Sequence, residues 1–216
     1  MKDNEIQYSW LNFAQSFLGL AITGCDRIII DQDRDTSCLF SGKTEDKKIL
    51  PKDIFTPIVF NIKHGIEVFI KTLLVIKFNH HNKKYNIHNV EKLFKELIQN
   101  VSQEIKPIKF GGDEITQDNI DKIPSKLEEI RKYIFKYYLC NFINKGKKII
   151  NICDYENDVF RYPDNKSYLR VDDKLIDIDI INELKNDAIH IHDLFNELGY
   201  IFLVDKDYND YLKEKK

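Results

Sequence analysis

The chain contains no Cys-x-x-Cys pair: Cys25, Cys38, Cys140 and Cys153 are scattered along its 216 residues. It also lacks the apolar core of a secretion signal, because Met1 to Glu5 lead straight into an amphipathic stretch. The longest apolar region, Ile66 to Phe78, is broken by Glu67, Lys71 and Lys77 and is too short to span a bilayer. Together these features predict reduced thiols and a cytoplasmic location. No charge of one sign dominates. The 33 basic and 35 acidic residues give a formal net charge of -2, which excludes a strongly basic nucleic-acid coat while leaving room for a local basic patch. Arg is scarce, occurring only at Arg27, Arg34, Arg131, Arg161 and Arg170, so each carries more weight for bidentate phosphate or carboxylate recognition. Walker, Rossmann and nucleophile-elbow patterns are absent. Asp31 to Asp35 imitates the start of a calcium loop but has Thr36 and Gly42 where Gly and Glu are needed, and reads as a solvated loop. Neither a metal nor a cofactor is expected.

With 43% hydrophobic and 31% charged residues, the composition is that of a soluble globular protein able to bury a core. A single helical domain over 1–204 with a charged, frayed tail at 205–216 is the expected organisation. The spacing of Ile6, Trp10, Phe13, Phe17, Leu20 and Ala21 predicts a first helix from Glu5 to about Thr23, stopped by Gly24. A second helix, capped by Thr56 with Pro57 in its first turn, runs to about Phe78 and is apolar nearly all round, as a central buried helix would be. His80 to Lys84 reads as a loop. A third helix starts near His88 and Asn89. Lys106 to Pro124 reads as a long connection around Gly111-Gly112, with a short helix at Gln117 to Lys122. A fourth helix covers about Ser125 to Asn144, and a last one about Asp179 to Gly199. Pro163-Asp164-Asn165, between Val159–Tyr162 and Tyr168–Val171, has the turn chemistry of a small β-hairpin near 159–171. The fold class is thus all-α, an antiparallel bundle of four to five helices with a minor hairpin.

Two segments resemble the HEPN (higher eukaryotes and prokaryotes nucleotide-binding) helical bundles. Pro57 to Leu74, PIVFNIKHGIEVFIKTLL, is similar to the family's apolar helix with a central His, then Glu, then Lys. His88 to Leu97, HNVEKLFKEL, resembles the opening of its following helix, with Asn86 and Asn89 where Gly and Asp are usual. Phe160-Arg161-Tyr162-Pro163 is similar to a hairpin found in a subset of these proteins. The resemblance implies an antiparallel bundle, frequent homodimers or hetero-oligomers with a partner protein, and roles in RNA cleavage, RNA or nucleotide binding, antiviral defence or toxin–antitoxin systems. Ribonuclease members carry an Arg followed four to six residues later by His on the last helix, and no Arg here has that spacing. Lys185-Asn186-Asp187-Ala188-Ile189-His190 is the nearest match, with Lys in place of Arg. Lys neutralises a phosphate but lacks the planar fork of Arg, whereas an imidazole at His190 titrates near neutral pH and suits proton transfer.

The candidate residues follow from these patterns. For catalysis they are His190, Lys185 and Asn186, set against the plainer reading of an exposed helix face beside the core stripe of Leu184, Ala188 and Ile191. For binding they are His64, Glu67 and Lys71, three polar groups on one stripe of an apolar helix that must be paired or solvated. Their plainer reading is a structural hydrogen-bond network or a dimer contact. Arg161 and Tyr162 form a basic-plus-aromatic pair suited to a phosphate and a base, or to an ion pair with Glu156 or Asp158. Two readings of function result. One is a non-catalytic RNA- or nucleotide-binding or adaptor protein acting as an oligomer. The other is a degenerate metal-independent ribonuclease using His190 and Lys185.

Overall fold

The computed structural model describes residues 3–33, 51–78, 88–101, 105–138, 143–144, 146–149 and 173–215. Helices α1 (Asp3–Asp33), α2 (Pro51–Phe78), α3 (Val90–Val101), α4 (Gln117–Asp121), α5 (Ile123–Tyr138) and α6 (Ile178–Glu214) carry most of the chain. Two antiparallel ribbons accompany them: β1 (Ile108–Phe110) with β2 (Asp113–Ile115), and β3 (Ile143–Asn144) with β4 (Lys147–Lys148). The fold is an all-α helical bundle with small hairpins. The hairpin expected at 159–171, with Arg161, Tyr162 and Arg170, lies outside the described residues, as does the loop His80 to Lys84.

The amphipathic stripes explain the assembly. On α1 the residues Leu11, Ala14, Leu18, Ala21, Cys25 and Ile28 recur at helical spacing and are all buried. They face α2 and α6, which take up Ile58, Ile62, Phe69, Leu184, Ile191, Phe195 and Leu198 from the other side. α1 runs antiparallel to α2: a Cβ on Gly24 would lie 3.4 Å from Ile58 Cγ1, and one on Gly65 would lie 3.1 Å from the Ala14 carbonyl oxygen. α6 is antiparallel to both α1 and α5, as the pairs Gln15–Asn196, Asp26–Lys185, Lys126–Glu197 and Lys136–Glu183 record. Phe69 of α2 stacks on Phe195 of α6 with centroids 3.8 Å apart. α2 touches α1, α3, α5 and α6, so it is the central helix.

Several boundaries differ from the sequence expectation. α1 does not stop at Gly24 but continues to Asp33, and a Cβ at Gly24 would make only ordinary contact with Ile58. The core stripe of α1 is also rotated from the expected one: Trp10, Phe13 and Leu20 are exposed. α2 starts at Pro51, six residues before Pro57, which sits inside the helix on an exposed face where one missing N–H is tolerated. Lys106 to Pro124 contains the β1–β2 hairpin, closed by Gly111 (φ 62) and Gly112 (φ 98) as a two-residue turn with both φ positive. α5 ends at Tyr138, and β3 and β4 follow. The expected frayed tail continues α6 through Glu214. Its start is held because Asp205 and Lys206 are buried, each ion-paired, and because Phe110 packs on Tyr208 and Tyr211.

Among the described residues one stretch, Tyr8–Ile30 in α1, is long and apolar enough by length and composition to cross a membrane. Here its Leu11–Ile28 stripe is packed inside the bundle.

Candidate ligand-binding site

The central position of α2 encloses the polar stripe it carries. Glu67 is the floor of a cluster whose side chains grow more open outward: 1% exposed for Glu67, 11% for Lys71, 18% for His64 and 40% for His88. Glu67 Oε1 accepts two charge-assisted bonds, from Lys71 Nζ at 2.7 Å and from His88 Nδ1 at 2.8 Å. The second bond requires the His88 proton on Nδ1. Among the described residues Glu67 Oε2 is buried with no hydrogen-bond partner, and His64 Nδ1 lies 3.9 Å from it. Helical spacing sets this up, since His64, Glu67 and Lys71 fall on one face and a Glu four residues before a Lys is the favourable order. His88 comes from the residues just ahead of α3.

His64 is bracketed by rings. Phe60 stacks on it with centroids 5.5 Å apart and planes at 11°, and Phe17 of α1 meets it edge-on at 4.5 Å. One residue back, Lys63 is fully buried, with its ammonium 4.7 Å from the Tyr138 ring centroid, and the Tyr138 hydroxyl donates to the Lys63 carbonyl. The cluster therefore joins a buried carboxylate, a cation, two imidazoles and two flat apolar faces.

No protein-family model, curated protein or solved structure matches the chain.

The structure brings His64, Glu67 and Lys71 together and adds His88, which the sequence pattern presented only as the opening of a helix. The signal available was the unmet need of three polar groups on an apolar helix for a partner elsewhere. Lys185, Asn186 and His190 are not brought together in this way. Lys185 ion-pairs with Asp26 of α1 at 2.5 Å, His190 Nε2 meets Glu129 of α5 at 2.6 Å, and Asn186 is exposed. Five residues along a helix turn the chain so that Lys185 and His190 point about 140° apart. His190 belongs instead to a polar seam between α5 and α6. There the Tyr137 hydroxyl donates to Asp187 at 2.7 Å, and Lys136 bridges Asp187 and Glu183. Burial, reinforced by Asp187, pushes Tyr137 well above the usual phenol range and Tyr133 up to about 12. Among the described residues no group of three or more His, Cys, Asp or Glu side chains is arranged to hold a metal ion.

Proposed function

We propose that the chain is a non-catalytic, HEPN-like binding module. It holds a nucleotide, or the equivalent unit of an RNA, at the His64–Glu67–Lys71–His88 cluster, and it acts in the cytoplasm as an oligomer or with a partner protein. The observation that carries the ligand reading is Glu67. One carboxylate oxygen accepts two hydrogen bonds, and the other is buried with no donor among the described residues, a state that costs about 1–3 kcal/mol. A base amine, a guanine N1–H or a ribose hydroxyl would supply that donor. Phe60 and Phe17 pack against His64 and fix its ring beside the carboxylate, while Lys71 and His88 offer charge to a phosphate. The resemblance of residues 57–97 to HEPN helices supports the same reading, and it alone suggests a prokaryotic defence or stress setting.

The ribonuclease reading has less support, because Lys185 and His190 are each engaged by a carboxylate on a different neighbouring helix. Titration calorimetry of the full chain with ATP, GTP and a short single-stranded RNA tests the proposal. Saturable binding of at least one of them is expected, weakened tenfold or more by Glu67→Gln and unaffected by Asn186→Ala. Labelled RNA incubated without divalent metal should be recovered uncut from wild type and His190→Ala alike. Absence of binding by all three ligands sinks the reading, and cleavage that disappears in His190→Ala replaces it with the ribonuclease.

A further inference from the structure

Two heteroatoms in the Glu67 cluster face one another across a gap slightly too wide for a hydrogen bond. Glu67 Oε2 is buried with no donor among the described residues, and His64 Nδ1 stands 3.9 Å from it, three residues back on the same helix face. A charge-assisted bond closes at about 2.7–2.9 Å, so about 1 Å of movement separates these atoms from contact. The aromatic packing directs that movement. Phe60 lies nearly parallel to the imidazole and Phe17 meets it edge-on, which fixes the ring plane and leaves sliding within it.

The proton content of His64 decides whether the gap closes. A neutral imidazole with its proton on Nε2 presents a lone pair at Nδ1, and two acceptors do not approach. An imidazolium carries protons on both nitrogens, and Nδ1 is then a cationic donor beside a buried anion. Imidazole is also the side chain whose charge ordinarily changes between about pH 5 and 8.

The neighbours set the sign. On α2, Glu67 attracts the imidazolium, Lys71 opposes it from the other carboxylate oxygen, and the Lys63 ammonium is turned to the Tyr138 ring of α5. His88, at the approach to α3, adds to the opposition when it is charged. α1 brings Phe17 and, from Ile6 through Cys25, no charge at all. α5 and α6 commit Lys136, Asp187, Glu183, His190 and Glu129 to their own seam. The carboxylate wins because it offers the imidazolium a direct bond, whereas the cations already donate to Oε1.

We propose that His64 is a proton-operated gate on this site. Protonated, it donates through Nδ1 to Glu67 Oε2 and takes the acceptor that a ligand needs. Neutral, it leaves that oxygen to the donor of the ligand. The gate rests on the ligand reading above and regulates the same site. Proton and ligand compete for one oxygen, so each weakens the other by the same factor. Affinity falls by up to about tenfold per pH unit where the imidazolium dominates, the limit for one linked proton.

Binding of ATP, GTP and single-stranded RNA without terminal phosphates to the full chain, at pH 6, 7 and 8, tests the gate beside His64→Phe. Phenylalanine keeps the ring stack and carries no proton. For a ligand that binds at pH 8, wild type should lose about tenfold more affinity than His64→Phe on going to pH 6. Titration of His88 or of a ligand phosphate is common to both chains and cancels. Without ligand, protonation adds a bond to the wild-type fold alone, a contribution present at low pH and lost as pH rises. The melting temperature of wild type should therefore rise relative to that of His64→Phe as pH falls from 8 to 6. Should His64→Phe fail to fold, nitrogen NMR of the wild-type His64 ring reads the gate directly: Nδ1 should be protonated and hydrogen-bonded at pH 6 and deprotonated at pH 8. A ring still neutral at pH 6, or equal changes of affinity in the two chains, overturns the gate and leaves the ligand reading standing. Absence of binding at every pH sinks the ligand reading itself, and the gate with it.

Discussion

A single carboxylate decides how the interior of this bundle is wired. Glu67 is desolvated, and its charge is tolerable only because Lys71 and His88 donate to the same oxygen. Removing one donor strands the anion. Lys71→Met should therefore destabilise the fold by about 3 kcal/mol, at the low end for breaking a buried ion pair because His88 still donates. Urea unfolding followed by circular dichroism measures it, and a loss below about 1 kcal/mol would mean that water reaches the carboxylate. The polar stripe on α2 was legible in the sequence, because three polar side chains interrupt a helix otherwise apolar all round. His88 was not. It lies 21 residues beyond Glu67, and only the path of the chain into α3 brings it back.

At the scale of elements, the helix types and the order of the bundle were readable from periodicity, but which face of α1 points inward was not. Two apolar stripes lie side by side on that helix. The bulky one, Trp10, Phe13 and Leu20, is the more hydrophobic by eye. The inner one, Leu11, Ala14, Leu18 and Ala21, wins because its small residues let α1 approach α2 and α6 closely. Gly65 marks the tightest crossing, and α1 offers rigid backbone there. Gly65→Ala should cost about 1–3 kcal/mol through overpacking, while Gly19→Ala should gain about 0.5–1 kcal/mol from helix propensity alone. Thermal melts of the two variants check the opposite signs. The β1–β2 hairpin was missed for a different reason. Gly111-Gly112 carries the turn signal, but three-residue strands leave little alternation to read.

For the molecule as a whole, the buried thiol and phenols set the alkaline limit of stability. Burial, and then the nearby Asp26 carboxylate, push the Cys25 thiol from 9.0 to about 12. Tyr133 and Tyr137 are raised above 10.0 by burial and then by Asp187. In each case the folded state holds the proton more tightly than the unfolded chain. The contribution is therefore complete below pH 9 and is lost as pH rises towards 12. Unfolding free energy should decline continuously from about pH 9 upward, and Tyr137→Phe should flatten that decline. A profile level to pH 11 would contradict the burial of these groups.

α6 has one more consequence. Its 37 residues make a rod about 55 Å long; α1 lies along it from the Asp26–Lys185 pair to the Tyr8–Asp207 hydrogen bond, and the β1–β2 hairpin packs on its C-terminal half, where Tyr200 donates to Asp113 at 3.3 Å. Such a rod makes the molecule mechanically anisotropic. Tension along the rod's axis loads its lateral contacts in parallel and must shear them together. Tension across it peels them one turn at a time, so the same fold is stiff in one direction and yielding in the other.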